Sequence, residues 1–544
     1  MPQGPALARR LGLALVLVLL SVGLLAAWGS DYLLHRGLPL DDAWIHAVYG
    51  RELLRSGSLA YNPGEPATGE TAPLWAVFVA AAHLVASRPE TVLLGIKGIG
   101  LALHVAVAVA VLLGGLGEKP GSAAAFFGAI VVATNPDLLA ASVAGMEVPL
   151  AALLAVLLFA AVRRGRALPV LAAAALAPLA RPELALLSLA FPVLVHLPDG
   201  RGAFRKTAAA AAAGTALSYA LVALRSYGWS GLPLPATFYA KFGSGSLPFL
   251  AVERSGFLGV LPLLGIATHP AALLVLLVST GWLAAKRRSD PEARLPAAAV
   301  SGGVLFFAVS FVASPPFDPA AFYHQRYVLP ALSLVLGSAP AWAAGVLAVF
   351  RPGGGAPAAA VLAAVLAAAQ ILAAPARLAR LANDARNIDD VQVAVGRSLE
   401  GAPSDAVIWA VDAGAIRYFG RARVVDMIGL NTPEMLGATA APFLSRNPPS
   451  VLVEVSNWSG LDPESSAALR SDVFRPSTPY TVTSSPAMSV HRIVRCRPGV
   501  SGWYRIRSRV FPFSCAAPLA AGAPAQADAT IDSGWPTRAP RVSF

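Results

Sequence analysis

The chain has 544 residues, 56% of them hydrophobic and only 13% charged, with a formal net charge of +12. Its mean hydropathy is +0.62. A soluble globular domain carries roughly 25% charged residues, so these values exclude a soluble protein, a disordered chain and a fibrous one. The apolar residues fall in blocks long enough to cross a bilayer, which takes about 20 residues per helix. The chain is a polytopic membrane protein whose first partner is the lipid bilayer.

The basic excess is not a nucleic-acid signal, and no nucleic-acid partner is expected. It sits in short clusters between apolar blocks: Arg9-Arg10, Arg163-Arg164-Arg166, Arg201-Arg205-Lys206 and Lys286-Arg287-Arg288. Short loops rich in Lys and Arg stay in the cytoplasm, so these clusters fix the topology. The first apolar block, 11–29, is long for a cleaved signal and lacks a small-residue cleavage site, which makes it a retained helix with a cytoplasmic N-terminus. The polar loop 30–72 then lies outside. Spanning helices are expected near 147–161, 168–180, 183–197, 207–224, 270–285, 296–312, 328–350 and 358–374, the last one leaving the C-terminal part outside.

Three further blocks, 73–86, 91–113 and 122–133, lie between two points that are both outside, so an even number must cross. The first is only about 14 residues, opens with Pro73 and Trp75, contains His83 and reads as re-entrant or interfacial. The expectation is an α-helical bundle of eleven to twelve spanning helices, with eleven preferred. Composition points to a bacterial inner (plasma) membrane.

The C-terminal outside region reads as a small α/β domain. Short β-branched runs at 406–411, 423–427 and 450–455 are bounded by Gly, Asn and Pro, as strands are, and 378–399 has a helical pattern. The two cysteines, Cys496 and Cys515, both fall here. In an oxidising compartment they suggest a disulfide, with two unrelated thiols as the alternative. After Cys515 the chain is rich in Ala, Pro and Gly, a loose tail. The expected domains are thus 1–375, 376–515 and 516–544. The Asn457-Trp458-Ser459 triplet matches a glycosylation acceptor but is too short a signal to use.

The unusual polar residues concentrate on the outer side. The first loop carries Asp41-Asp42, His46, Tyr49, Tyr61 to Pro66, and Gly69 to Trp75. Later outer turns carry Met146-Glu147, Arg181-Pro182-Glu183, Thr237 to Lys241, and Tyr323 to Tyr327. Taken singly these have ordinary explanations. An Asp can cap a helix, a boundary Arg can anchor at the headgroups, and Trp and Tyr form interfacial belts. Together they make a set of carboxylates and cations on the face where a membrane-anchored phosphate would lie. A carboxylate can take a proton from an attacking hydroxyl, and fixed cations can stabilise a departing phosphate. Such a set can move a sugar from a lipid phosphate to an acceptor alcohol where no nucleotide donor is available.

Asp41-Asp42-Ala43-x-Ile45, Tyr61-Asn62-Pro63-Gly64-Glu65-Pro66 and Gly69-x-Thr71-x-Pro73-Leu74-Trp75 resemble the first outer loop of GT-C glycosyltransferases. The nearest group is the polyprenyl-phosphate arabinofuranosyl- and mannosyltransferase-like proteins of bacterial envelopes. Gly145-Met146-Glu147-x-Pro149, Arg181-Pro182-Glu183, Thr237-Phe238-Tyr239-Ala240-Lys241, Arg326-Tyr327-x-x-Pro330 and Val425-Asp426-x-x-Gly429-Leu430 follow in that group's order. The resemblance covers about residues 1 to 455. It implies a GT-C fold with a C-terminal extracytoplasmic α/β domain, a polyprenyl-phosphate sugar donor, a glycan or glycolipid acceptor, and Asp41 or Asp42 as base, with Asp41 preferred. Glu147 matches the acidic position of the second outer loop, and Arg181, Lys241 and Arg326 match positions for donor phosphate or acceptor contacts. Tyr49, Glu70, Glu183, Tyr239, His324 and Tyr327 complete the candidate binding set.

The sequence departs from the group at Val48, where a basic residue is usual, at Glu70 and Ala72, where an aromatic and a Ser are common, and at Val148, where Thr is frequent. These departures bear on the sugar more than on the reaction class. The implied reaction is a single inverting displacement. It needs no cofactor, no His/Cys/Asp cluster has ligand spacing, and a divalent metal stays open. A transporter or flippase for a lipid-linked envelope precursor is the rival class, but it would place ionisable residues near the bilayer midplane. An inactive scaffold would need neither the Asp pair nor the outer cations.

Overall fold

The computed structural model describes residues 4–197, 201–242, 291–313, 326–350, 355–455, 459–469, 471–478, 491–506 and 509–515. The expected helix at 270–285, the Lys286-Arg287-Arg288 cluster, His324, the Asn457-Trp458 pair and the tail 516–544 lie outside the described residues, as does the side chain of Lys241. The chain divides into two units. One takes residues 1–33, 94–221 and 246–381; the other takes 34–93, 222–245 and 382–544.

The first unit is helical. Among the described residues, five helices of the chain are long and apolar enough to span: Ala6–Trp28, Pro89–Leu112, Arg201–Ser230, Leu329–Ala348 and Ala356–Ser398. A sixth candidate is broken: Ala123–Ala133 and Pro136–Val143 meet at 57°. The break has a local cause. Asn135 caps the second piece by accepting the Leu138 N–H, and Pro136 opens it, where a missing N–H costs nothing. Shorter apolar helices Val148–Arg163, Ala167–Ala180 and Ala185–His196 and the helix Pro291–Ala313 add to the described bundle. Some of the polar groups inside it find partners within the bundle, as a membrane interior favours. Ser21 donates to the Ala133 carbonyl, Tyr32 to that of Val143, and Arg377 pairs with Asp137 at 2.6 Å.

Helix Gly355–Ile388 is one of those that carry the chain from one unit to the other, and it continues through Pro375. Its 34 residues reach about 50 Å, well beyond a hydrocarbon core of about 30 Å. A π-helical turn, Asp389–Val393, and a short helix, Ala394–Ser398, complete the helical stretch expected at 378–399.

The second unit holds the α/β domain together with the first outer loop. Strands β1 (Ala60–Asn62) and β2 (Glu65–Pro66) form a small hairpin. β3 (Val407–Ala410), β4 (Arg423–Asp426) and β5 (Val451–Val455) are the three expected strands. They belong to a five-stranded sheet of order β4-β3-β5-β8-β7, in which β3 runs parallel to both neighbours. β7 (Ser471–Phe474) and β8 (His491–Arg495) are antiparallel additions. β6 (Ser459–Leu461), β9 (Ser501–Ile506) and β10 (Arg509–Ser514) form a second sheet. Trp409, Val425, Leu452, Val494, Phe443 and Tyr504 build the core, and a disulfide joins Cys496 to Cys515.

Helix Pro73–Val85 also belongs to this unit. Its 13 residues reach about 20 Å, too short to cross a bilayer.

Candidate functional site

Helix Asp41–Ser56 carries the Asp pair in its first turn, and its cap residue Leu40 offers no side-chain acceptor. Carboxylates there meet the positive end of the helix dipole. Asp41, however, caps a different helix. Its Oδ2 accepts the Gly414 N–H at 2.7 Å and its Oδ1 the Ala415 N–H at 2.9 Å, at the start of helix Gly414–Phe419. Gly414 is required for this approach, because a Cβ there would lie 2.1 Å from the Asp41 carbonyl oxygen. Burial and the nearby Asp412 carboxylate raise the Asp41 pKa to about 8, against the lowering effect of the two N–H groups. Asp42 sits beside it, half-buried.

The rest of the loop is tied to the same domain. Tyr61 Oη donates to the Ala413 carbonyl at 2.6 Å, and Arg417 Nε donates to the Tyr61 carbonyl at 3.0 Å. Asn62 behaves like one more strand residue, donating to the Val424 carbonyl and accepting the Val424 N–H, both at 3.0 Å. Arg423 forks onto Glu65 at 2.7 and 3.1 Å. Gly69 abuts the turn after β4, where a Cβ would fall 2.2 Å from Asn431 Oδ1. Tyr49 Oη donates to that same Oδ1 at 2.9 Å and accepts the Gly69 N–H at 3.2 Å. Asp426 organises the turn by accepting N–H groups of Ile428 and Asn431, and burial raises its pKa to about 6.

Glu70 is buried, where its Oε2 lies 2.8 Å from His46 Nδ1 and its Oε1 accepts the Ala72 N–H at 2.7 Å. The unusual acid at position 70 thus has a built partner. Thr237 Oγ1 donates to the Gly69 carbonyl at 2.8 Å, which attaches the start of helix Ala236–Phe242 to the same loop. Tyr239, half-buried, stacks edge-on against Phe238.

In the helical unit a second group forms. Glu147 precedes helix Val148–Arg163 yet makes no cap; its Oε1 instead accepts Arg181 Nη1 at 2.5 Å. Arg181 Nε lies 3.4 Å from Glu183 Oε2, and its guanidinium stands 5.0 Å from the centre of the Tyr327 ring. Arg326 Nη2 donates to Tyr327 Oη at 3.0 Å, and its Nη1 lies 4.0 Å from Met146 Sδ. Glu147, Arg181, Glu183, Arg326 and Tyr327, drawn from three separated motifs, therefore form one set, buried except for the half-buried Glu183. Asp41, Asp42, Tyr49, Glu70 and Tyr239 belong to the other unit.

Several polar residues escaped the sequence reading. Arg225 donates to the carbonyls of Ala67 and Glu70 at 2.9 and 3.4 Å. Asp412 accepts Gln392 Nε2 at 3.0 Å and lies 3.2 Å from His491 Nε2. A signal for Asp412 existed: it follows a β-branched strand, at the carboxyl end where parallel sheets place functional groups. His491 carries no such local mark. Among the described residues no group of three or more His, Cys, Asp or Glu could hold a metal ion.

A family model described as a domain of unknown function (DUF8728) matches residues 386–490. No curated protein sequence matches the chain. Among solved structures the chain is similar to ArnT from Cupriavidus metallidurans bound to undecaprenyl phosphate, at 15% identity and a TM-score of 0.55, over 91% of this chain and 98% of that one. The same protein in the apo state gives 16% identity and a TM-score of 0.53 over the same shares. The chain has the GT-C fold: a multi-pass helical membrane protein with a C-terminal sheet-containing domain.

Proposed function

We propose that the protein is an inverting glycosyltransferase that moves a sugar from a polyprenyl-phosphate donor to a glycan or glycolipid acceptor on the extracytoplasmic face. The observation that carries this reading is the Asp pair at the head of helix Asp41–Ser56, with Asp41 clamped by two backbone N–H groups. A carboxylate held in one orientation, with its pKa raised, is equipped to accept a proton. In the proposed step the acceptor hydroxyl gives its proton to Asp41, and its oxygen forms a bond to the anomeric carbon. The bond from that carbon to the donor phosphate oxygen breaks, and the electron pair leaves on the phosphate. The motif resemblance assigns Arg181, Lys241 or Arg326 to the phosphate's charge. Arg181 is fixed by Glu147 and Glu183, and a cation that does not have to reorganise stabilises developing charge best. The fold likeness supports the reading, because the similar ArnT structure holds undecaprenyl phosphate.

The test is transfer from synthetic polyprenyl-phosphate sugars by the purified protein in detergent, wild type beside Asp41→Asn and Asp42→Asn. Donor-dependent turnover lost in one variant names the base. Turnover retained in both removes the base assignment. No turnover with any donor, with lipid still bound by all three proteins, favours a transporter for a lipid-linked precursor.

A further inference from the structure

We propose that Arg225 and Thr237 are positioning residues that lock helix Ala236–Phe242 to helix Asp41–Ser56 through the backbone of residues 67–70. This rests on the proposed function, in which helix Ala236–Phe242 carries Tyr239 and Lys241 for the donor and helix Asp41–Ser56 carries the base.

Residues 67–70 follow β2 and belong to no helix or strand, yet Ala67, Thr68 and Glu70 are buried. Buried backbone groups outside regular structure must find partners elsewhere. Here two other helices supply them. Arg225 spans the segment, its Nη2 donating to the Ala67 carbonyl at 2.9 Å and its Nη1 to the Glu70 carbonyl at 3.4 Å. Thr237 Oγ1 donates to the Gly69 carbonyl at 2.8 Å, and the Ala236 N–H donates to Thr68 Oγ1 at 3.2 Å. Each residue of the segment is thus gripped once.

Helix Asp41–Ser56 holds the same segment. Tyr49 Oη accepts the Gly69 N–H at 3.2 Å, and Glu70 Oε2 lies 2.8 Å from His46 Nδ1. His46 stands one helical turn after Asp42, on the same face. Gly69 therefore joins the two helices through a single residue, with Tyr49 on its N–H and Thr237 on its carbonyl.

Arg225 is itself fixed. Its guanidinium stands 5.0 Å from the centre of the Trp229 ring, one turn further on. Helix Arg201–Ser230 ends at Gly231, whose φ is +70° within 2°, and only residues 231–235 separate it from helix Ala236–Phe242. That link contains Pro233 and Pro235, whose rings fix φ and stiffen it. A single displacement requires the proton acceptor, the attacking oxygen, the anomeric carbon and the departing phosphate to keep one spacing. Arg225 and Thr237 set that spacing without touching substrate.

The test compares Arg225→Lys and Thr237→Val, alone and together, with wild type. Lys keeps the charge and loses the planar fork that spans two carbonyls; Val keeps the shape and loses the hydroxyl. Spin labels on Leu54→Cys and Phe238→Cys, both exposed positions, report the distance between the two helices, since Cys496 and Cys515 are closed in the disulfide. Each variant should broaden that distance distribution and lower kcat per folded molecule, at saturating donor, by about 10- to 100-fold. The double variant should lose less than the product of the two single losses, because both act on one segment. Lower melting with wild-type kcat and an unmoved distribution assigns the residues to stability alone and overturns the proposal. So does a loss confined to the donor KM with an unmoved distribution, which marks direct donor contact. Each residue is judged by its own variant. Should the distribution broaden while no protein, wild type included, turns over any donor, the lock stands and the transferase reading falls.

Discussion

Gly414→Ala tests the clamp most directly. A Cβ at position 414 would lie 2.1 Å from the Asp41 carbonyl oxygen and 2.9 Å from both Cγ and Oδ1, where ordinary contact begins at 3.4 Å. Backbone on one side meets backbone on the other, so no flexible side chain can swing away, and the two elements must part by roughly 1 Å to reach ordinary contact. That displacement stretches both clamp bonds, now 2.7 and 2.9 Å, past hydrogen-bonding range. Each bond to an ionised carboxylate is worth about 1.5–3 kcal/mol, and overpacking alone costs about 1–3 kcal/mol. Local stability should fall by about 4–9 kcal/mol if nothing relaxes. A misplacement of about 1 Å at a reacting group costs on the order of 100-fold in rate. The assay is thermal unfolding in detergent beside turnover at saturating donor. The control is Gly12→Ala, where a Cβ meets nothing within 4 Å. Wild-type melting and wild-type kcat in Gly414→Ala would refute the claim that this contact orients Asp41.

Other expectations follow from the same geometry. Removing one partner of the Glu147–Arg181 pair, whose side chains are 9% and 4% exposed, strands a buried charge. Either Ala variant should lose about 3–5 kcal/mol in denaturant titration, with much of the loss recovered in the double variant. The raised Asp41 pKa makes this group's contribution to stability complete below its ordinary 3.8 and lost as pH rises through about 8. Asp41→Asn should therefore compare better with wild type at pH 8 than at pH 5 when melting is measured at both. Replacing Cys496 and Cys515 by Ala opens a loop of 19 residues' separation and should cost about 3 kcal/mol. Reductant should lower the wild-type melting temperature and leave the double variant unchanged.

Local pattern made the helices legible because a bilayer imposes a strong one. The blocks near 147–161, 168–180 and 328–350 became helices Val148–Arg163, Ala167–Ala180 and Leu329–Phe350. Strands β3, β4 and β5 were legible for a similar reason: they are buried runs with turn residues at each end. β8 was not, since His491-Arg492-Ile493-Val494-Arg495 reads as a charged segment, and its pairing with β5 appears only in three dimensions. The expected helix 358–374 stops just before Pro375, yet helix Gly355–Ile388 continues through that proline. The Glu147, Arg181 and Arg326 set could be grouped because each lies in a motif on the outer side. Asp41's partners could not. Its hydrogen bonds reach Gly414 and Ala415, 373 and 374 residues away, and no periodicity spans that distance.

Those long-range bonds also bear on what the C-terminal domain does. Arg51 donates to the Tyr418 carbonyl, Tyr61 to that of Ala413, and Asn62 to that of Val424, while Tyr49 holds Asn431. Most of these acceptors are backbone carbonyls, so the domain constrains the loop's path largely through its main chain, with side chains of Arg417, Arg423 and Asn431 adding contacts. A loop rich in polar residues cannot bury its own backbone groups. Here strand edges and turns of the α/β domain satisfy them, and this ordering brings Asp41 to the end of β3. Loss of that domain would therefore remove the path of the loop, and with it the orientation of the Asp pair, even with every residue of the first loop intact.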